Sequence, residues 1–298
     1  MLKTGKETPM EKVKLARAFI LTTALVALIL SGYVFAGVPL TNLEGVGGVA
    51  FNPLAYPANP GTSLGDPNSS SIWKYIGKPQ VGAWYVNLGE SNPSVDWTSL
   101  GVAETFFGRL EVSYAHEVIA PDGLKNISKE NVGAKLLLVE ENSWDQAWLP
   151  AISVGVINKH TKNNPYEDSA GVDKSGYDIY AVATKLITQT PIPVLVSGGV
   201  LSTDSRTTGV FGYDKDRDLT GFGNVDFVLS KDVAVGVEYK QGAKYDDWKD
   251  ADYWDAHLAW FINPNTTLVA AYVNAGDPDS SSKVGLGEGL VLSLQYAF

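Results

Sequence analysis

Cysteine is absent from this 298-residue chain and methionine occurs twice. No disulfide can form, which is compatible with an oxidising compartment but does not point to one. Positive charge is scarce as well: 23 Lys and Arg stand against 33 Asp and Glu, a formal net charge of −10. That balance excludes a basic nucleic-acid binder as the first reading, and no nucleic-acid partner is expected. Apolar runs of about 20 residues are missing, so the chain is not a bundle of membrane-spanning helices. Charged residues make up 19% and aromatics 11%, which is too little charge and too much aromatic surface for a disordered chain. Glycine (30), tyrosine (14), phenylalanine (10) and tryptophan (8) are what the sequence has in quantity. The composition points to a folded β protein and leaves its solubility open.

Residues 1–36 have the layout of a secretory signal. Lys3, Lys6, Lys12, Lys14 and Arg17 form a positive lead, and an apolar run follows from Ala18 to Leu30. Val34 and Ala36 then occupy the small-residue positions of a cleavage site before Gly37. An uncleaved anchor is the competing reading, but the run is short for one. Cleavage near Ala36 removes five basic and two acidic residues and leaves 18 basic and 31 acidic ones, so the mature chain is the more acidic form.

Residues 37–77 form a second region of distinct character. Gly45-Val-Gly-Gly-Val-Ala-Phe-Asn-Pro53 leads into a stretch rich in Pro, Asn, Gly and Ser. This reads as irregular chain with at most one short strand. From Pro79 the pattern becomes alternating segments separated by turn-formers, the signature of strands. Twelve are expected: 81–88, 95–105, 109–119, 131–140, 151–160, 177–188, 193–203, 221–230, 232–240, 252–262, 266–274 and 288–298. In 109–119, Leu110, Val112, Tyr114 and Val118 share one face, and Glu111, Ser113, Ala115 and Glu117 the other. The phase of 95–105 and 177–188 is ambiguous.

The connections carry more information than the strands. Long polar links (89–94, 120–130, 161–176, 204–220, 241–251, 275–287) alternate with shorter ones throughout. A barrel crossing a membrane sorts its loops in this way, because its turns lie on two chemically different sides. The expected fold is therefore all-β: a transmembrane up-and-down antiparallel β-barrel of about 12 strands, residues 78–298, preceded by an irregular segment, 37–77. That segment either plugs the lumen or extends into the periplasm. A soluble periplasmic β protein is the fold alternative, since half-buried sandwich strands alternate too.

The last strand reads Glu-Gly-Leu-Val-Leu-Ser-Leu-Gln-Tyr-Ala-Phe, with Leu290, Leu292, Leu294, Tyr296 and Phe298 on one face. It resembles the C-terminal strand of Gram-negative outer-membrane β-barrels. The resemblance implies that Leu292, Leu294, Tyr296 and Phe298 are read by the barrel-assembly machinery, and that the chain resides in the cell outer membrane. Gly-Val-Ala-Phe-Asn-Pro-Leu-Ala-Tyr at 48–56 and Val-Gly-Ala-Trp-Tyr-Val-Asn-Leu-Gly at 81–89 further resemble a proteobacterial family described as a domain of unknown function, which adds no mechanism. Outer-membrane lipid and lipopolysaccharide are the expected surroundings. Trp84, Tyr85, Tyr114, Tyr239, Trp254, Trp260, Tyr272 and Tyr296 are candidates for the interfacial aromatic girdles.

Motifs for chemistry are few, and no cofactor is expected. Asp214-Lys-Asp216-Arg-Asp218 spaces its carboxylates like a calcium loop, but Leu219 stands where glycine is required and Val225 where a glutamate should close the site. A self-compensated loop is the better reading. His116, His160 and His257 show no metal-ligand spacing, and no metal site is expected. None of the three begins a His-x-Ser pattern, so His116 is only a weak candidate for a lipid esterase. Asp246, Asp247, Asp250 and Asp252 with His257 make a weaker case still for a protease. No P-loop, nucleophile elbow or haem-attachment motif is present. The expectation is a non-enzyme.

The faces opposite the apolar stripes carry Glu111, Glu117, Lys135, Asp226, Glu238, Lys240 and Asp255, with Lys185 less clearly placed. Ionisable groups at membrane depth mark a water-filled path or mutual pairing. The functional expectation is a narrow passive channel for ions or small polar solutes with mild cation preference. A non-conducting structural or interaction barrel is the alternative, and a lipid-processing enzyme the third reading.

Overall fold

The computed structural model describes residues 40–59, 62–65, 68, 70–89, 93–166, 168–169 and 171–298. The secretory signal expected at 1–36 lies outside them. Among the described residues no helix is long and apolar enough to cross a membrane, which says nothing of crossing by strands.

The twelve strands are β1 (Gln80–Leu88), β2 (Val95–Phe106), β3 (Leu110–Pro121), β4 (Ile127–Val139), β5 (Ala151–Lys162), β6 (Ser175–Ile187), β7 (Val194–Ser205), β8 (Tyr213–Val228), β9 (Val233–Lys240), β10 (Tyr253–Asn263), β11 (Thr266–Asn274) and β12 (Glu288–Ala297). Each pairs antiparallel with its sequence neighbours, and β1 closes on β12 with Gln80 opposite Ala297 and Asn87 opposite Leu290. The result is a closed up-and-down barrel without a sheet edge. Closure satisfies every strand's backbone groups within the sheet, which an open sheet in hydrocarbon cannot do.

Period-two alternation decides which residues face outward. On β3, Leu110, Val112 and Tyr114 are exposed while Glu111, Ser113 and Glu117 are buried. On β12, Leu290, Leu292, Leu294, Tyr296 and the terminal Phe298 are exposed while Val291, Ser293 and Gln295 are buried. The barrel is thus apolar outside and polar inside, the reverse of a soluble fold.

Strand boundaries depart from the sequence expectation chiefly at the loop-bearing end. β8 starts at Tyr213, so Asp214–Asp218 continues a strand instead of forming a loop. Its ladder with β7 is held by Arg217, which donates to Asp204 at 3.0 Å and to Ser202. β4 likewise starts at Ile127 and brings Lys129 into register with Glu117. The strict alternation of long and short links fails here. Only 122–126 joins β3 to β4, whereas 140–150 joins β4 to β5. Charged residues fit a strand as well as a loop when one face meets the lumen and the rim meets water.

One girdle candidate is corrected. Trp84 points inward and is buried, donating its indole N–H to the Thr41 carbonyl at 2.9 Å. Tyr85, Tyr114, Tyr239, Trp254, Trp260, Tyr272 and Tyr296 are all exposed on the outer face.

Candidate functional site

The site is the barrel interior together with residues 40–59, which lie inside it. This inner segment has only isolated bridges of its own, Thr41 to Gly47 and Gly48 to Pro53. Some of its backbone groups are satisfied by its own turns and by the Asn42 side chain, and others by side chains of the barrel wall, as burial demands. Gly47 and Ala58 donate to Glu111 at 2.9 and 2.6 Å. Phe51 and Asn52 donate to Glu238 at 2.6 and 3.3 Å. Ala55 donates to Thr184 at 2.8 Å, and the Leu43 carbonyl accepts from Ser99 at 2.6 Å. Glycine is required where the segment presses on the wall. A Cβ at Gly45, whose φ is +84°, would fall 2.8 Å from the Ala115 side chain, and one at Gly47 would fall 2.6 Å from Glu111.

The lumen wall is divided. The inward faces of β11, β12, β1 and β2 carry no charged side chain; Trp84, Val86, Leu88, Trp97, Val273 and Val291 pack there. The opposite wall carries the charges. Lys135 pairs with Glu111 at 2.9 Å, Lys129 with Glu117 at 3.1 Å, and Lys159 with Asp178 at 2.6 Å. Glu44 of the inner segment meets both Lys129, at 3.3 Å, and Lys159, and also accepts from Thr208 at 2.8 Å. Thr208 lies in the short 3-10 turn Arg206–Gly209 of the β7–β8 link. Inner segment, barrel wall and outer link therefore converge on Glu44.

A second group centres on His257, whose two ring nitrogens lie 2.6 Å from Asp255 and 2.7 Å from Asp226. Asn224 donates to the other oxygen of Asp226, and Glu238 stands opposite Asp255 in the ladder. Both imidazole nitrogens are taken by carboxylates, so this histidine has no hydroxyl to activate. In the β9–β10 link, burial pushes the Asp250 carboxyl up to about 6.

All seven expected lumen residues occupy inward positions: Glu111, Glu117, Lys135, Glu238 and Asp255 are buried, and Asp226 and Lys240 half-buried. Lys185 has the opposite parity to buried Tyr180, Val182 and Thr184, and its ammonium pairs with Glu141 at 3.1 Å beyond the strand. Glu44, Lys129, Lys159 and Asp178 belong to the same interior and were not singled out by sequence; His257, weighed there only for metal or protease chemistry, also lies in it. Lys159 shares the parity of Ser153 and Ile157 and was legible there. Lys129 was hidden by an assumed loop and Asp178 by an ambiguous phase. Nothing in the sequence marked Glu44.

The remaining motifs resolve separately. Asp214 pairs with Arg206 at 2.5 Å and Asp218 accepts from the Lys244 amide at 2.8 Å. No group of metal-ligating side chains is found among the described residues. Asp250 binds Thr207 and Trp248, not His257. On the outer surface His160 lies 2.6 Å from the Ser175 hydroxyl, a contact made across β5 and β6 that no sequence spacing announced. His116 faces Leu100 and Glu130 in its ladders.

A family model described as "Protein of unknown function (DUF3034)" matches residues 71–295. The chain belongs to this family. No curated protein matches the sequence. Among solved structures, this DUF3034 barrel is similar to the KdgM porin, with 14% identity, a TM-score of 0.50, and coverage of 74% of this chain and 99% of that one. The NanC porin matches at 13% identity and a TM-score of 0.46, covering 74% and 98%. The COG4313 outer membrane channel from Pseudomonas putida F1 matches at 13% identity and a TM-score of 0.44, covering 79% and 98%. At 14% identity the likeness to KdgM is one of fold, a porin-like closed β-barrel.

Proposed function

We propose that this chain is an outer-membrane β-barrel that forms a narrow passive channel for ions or small polar solutes, with residues 40–59 as a plug within its lumen. The observation that carries the reading is the inner segment itself, held by reversible hydrogen bonds to charged wall residues inside an apolar-coated closed barrel. The segment also packs Leu43, Val46, Val49 and Leu54 against apolar wall residues, so the charged, hydrogen-bonded part of the lining is the side that suits a hydrated path. The secretory signal 1–36, cleaved near Ala36, would direct the chain outward. Leu292, Leu294, Tyr296 and Phe298, all exposed on the last strand, would be read during assembly. The inward carboxylates outnumber the inward ammonium groups, which favours cations mildly.

Reconstitution into planar bilayers tests this. Small, cation-selective conductance is expected, and a variant lacking residues 40–59 should conduct several-fold more. A sealed barrel that stays sealed after the deletion would favour the non-conducting interaction barrel instead. One contact supports an enzymatic reading, the outward His160–Ser175 pair. Phospholipid hydrolysis by the detergent-solubilised protein that Ser175→Ala abolishes would establish it.

A further inference from the structure

Lys240 ends β9 at the loop-bearing rim, and its side chain lines two small internal cavities. Among the described residues its ammonium has no hydrogen bond and no carboxylate within 4 Å, unlike Lys129, Lys135 and Lys159. The carboxylates bordering the same cavities are already engaged. Glu44 is taken by Lys129, Lys159 and Thr208. Asp178 is taken by Lys159 and Ser205. Asp250 is taken by Thr207 and Trp248. This half-buried ammonium is therefore a vacant donor, not a member of the paired network.

The larger cavity holds about 50 Å³. Its lining is largely apolar, with Leu88, Trp97, Val273 and Leu286 among it, and its polar members are Lys240, Tyr253, Thr207, Thr208 and the already engaged Glu44. The Tyr253 hydroxyl is buried beside Thr207 and makes no hydrogen bond within 3.5 Å. Two donors, neighbours across the β9–β10 ladder, thus line one largely apolar chamber. At roughly 10–15 Å³ per water-sized occupant, the space takes about three to five heavy atoms. A sugar ring is too large and too polar for it.

We infer that this chamber is a binding site for a short-chain monocarboxylate, its carboxylate on the Lys240 ammonium and the Tyr253 hydroxyl and its alkyl end against Val273, Leu88 and Trp97. The assignment rests on the reading of the lumen as a path for solutes and names a class of solute held on that path. Water alone would hydrate the ammonium but leave the apolar wall unsatisfied, whereas a chloride ion would ignore that wall.

Carbon-13-labelled propionate titrated into the full-length purified barrel in detergent, followed by the broadening of its NMR line, is the test. Saturable binding is expected, displaced by unlabelled propionate far better than by equal chloride. Lys240→Gln should weaken it about tenfold or more, as for loss of one charge-assisted hydrogen bond, while Lys244→Gln on the exposed link leaves it intact. Val273→Phe fills the apolar end without touching the ammonium and should abolish binding as well, which covers the case of a Lys240 variant that fails to fold. No saturable binding, equal displacement by chloride, or equal affinity in a folded Lys240→Gln barrel would overturn the site. Conductance measured on the same preparations separates the two ideas. A sealed barrel that binds propionate defeats the channel and spares the site; an open barrel that does not bind it defeats the site alone.

Discussion

Glu111 on β3 holds Lys135 on β4 at 2.9 Å, and between them the two side chains grip the inner segment. The carboxylate takes the Gly47 and Ala58 amides while the ammonium donates to the Gly47 carbonyl at 2.8 Å. Both side chains are buried. Replacing Glu111 with Ala leaves an uncompensated ammonium in the lumen and two orphaned amides. Breaking such a pair costs on the order of 3–5 kcal/mol. The Glu111→Ala barrel should therefore lose its heat-modifiable gel shift at a clearly lower temperature than the parent. The double variant Glu111→Leu, Lys135→Met should recover the part due to the stranded charge and still fall short of the parent, because the Gly47 and Ala58 amides stay orphaned. An unchanged transition in the single variant would show that the pair is not a structural clamp.

Trp84 and Tyr85 are adjacent aromatics with opposite fates. The strand's alternation sends Trp84 to the Thr41 carbonyl and Tyr85 to the outer surface, where its hydroxyl meets Asp96 at 2.7 Å. Trp84→Phe keeps an aromatic ring but deletes a buried hydrogen bond to the inner segment, which removes about 1 kcal/mol. A matching fall in the unfolding midpoint is expected, along with faster proteolysis of the segment. Tyr85→Phe should do neither, and equal effects from both would refute the assigned faces.

The same pair shows how far the sequence was legible. Strand number, order and most faces follow from alternation, since a closed barrel has no long-range choice beyond joining its ends. Which aromatics belong to the girdle did not follow for Trp84. Neighbours on one strand face opposite ways, so only one of Trp84 and Tyr85 could join it; the partner that takes Trp84 lies in the inner segment, and irregular chain carries no period from which to read contacts. Glu44 was invisible for that reason, and its two lysines come from strands β4 and β5 far along the chain. The reach of β8 to Tyr213 was missed because alternating charges look like loop when the only criterion is apolarity.

Glu44 is the single anion set between Lys129 and Lys159 from the inner-segment side. Glu44→Gln keeps the shape and the acceptor oxygen but removes the charge, so both ammonium groups present more positive potential to the lumen. The ratio of potassium to chloride permeability should fall. A ratio unchanged from the parent, in a barrel that conducts, would place the ion path away from Glu44.

Asp250 in the β9–β10 link predicts how the outer mouth responds to pH. Its carboxylate accepts from the Thr207 amide at 2.9 Å, the Thr207 hydroxyl at 2.6 Å and the Trp248 indole at 2.6 Å, fastening this link to the 3-10 turn beside Glu44. Burial is the largest influence on its acidity and outweighs these hydrogen bonds, raising the group from its ordinary 3.8 to about 6. An acid whose value rises on docking takes up a proton as it docks. Its contribution to the docked state is therefore full below about pH 4, and it is lost as pH climbs through about 6. Closures of the reconstituted channel should last longer at pH 5 than at pH 7.5 if the two links form the mouth. Asp250→Asn cannot titrate and should give the same closure times at both values. A parent channel indifferent to pH across this window, or an Asn variant that keeps the full dependence, would remove Asp250 from the gate and leave the docked links as passive structure.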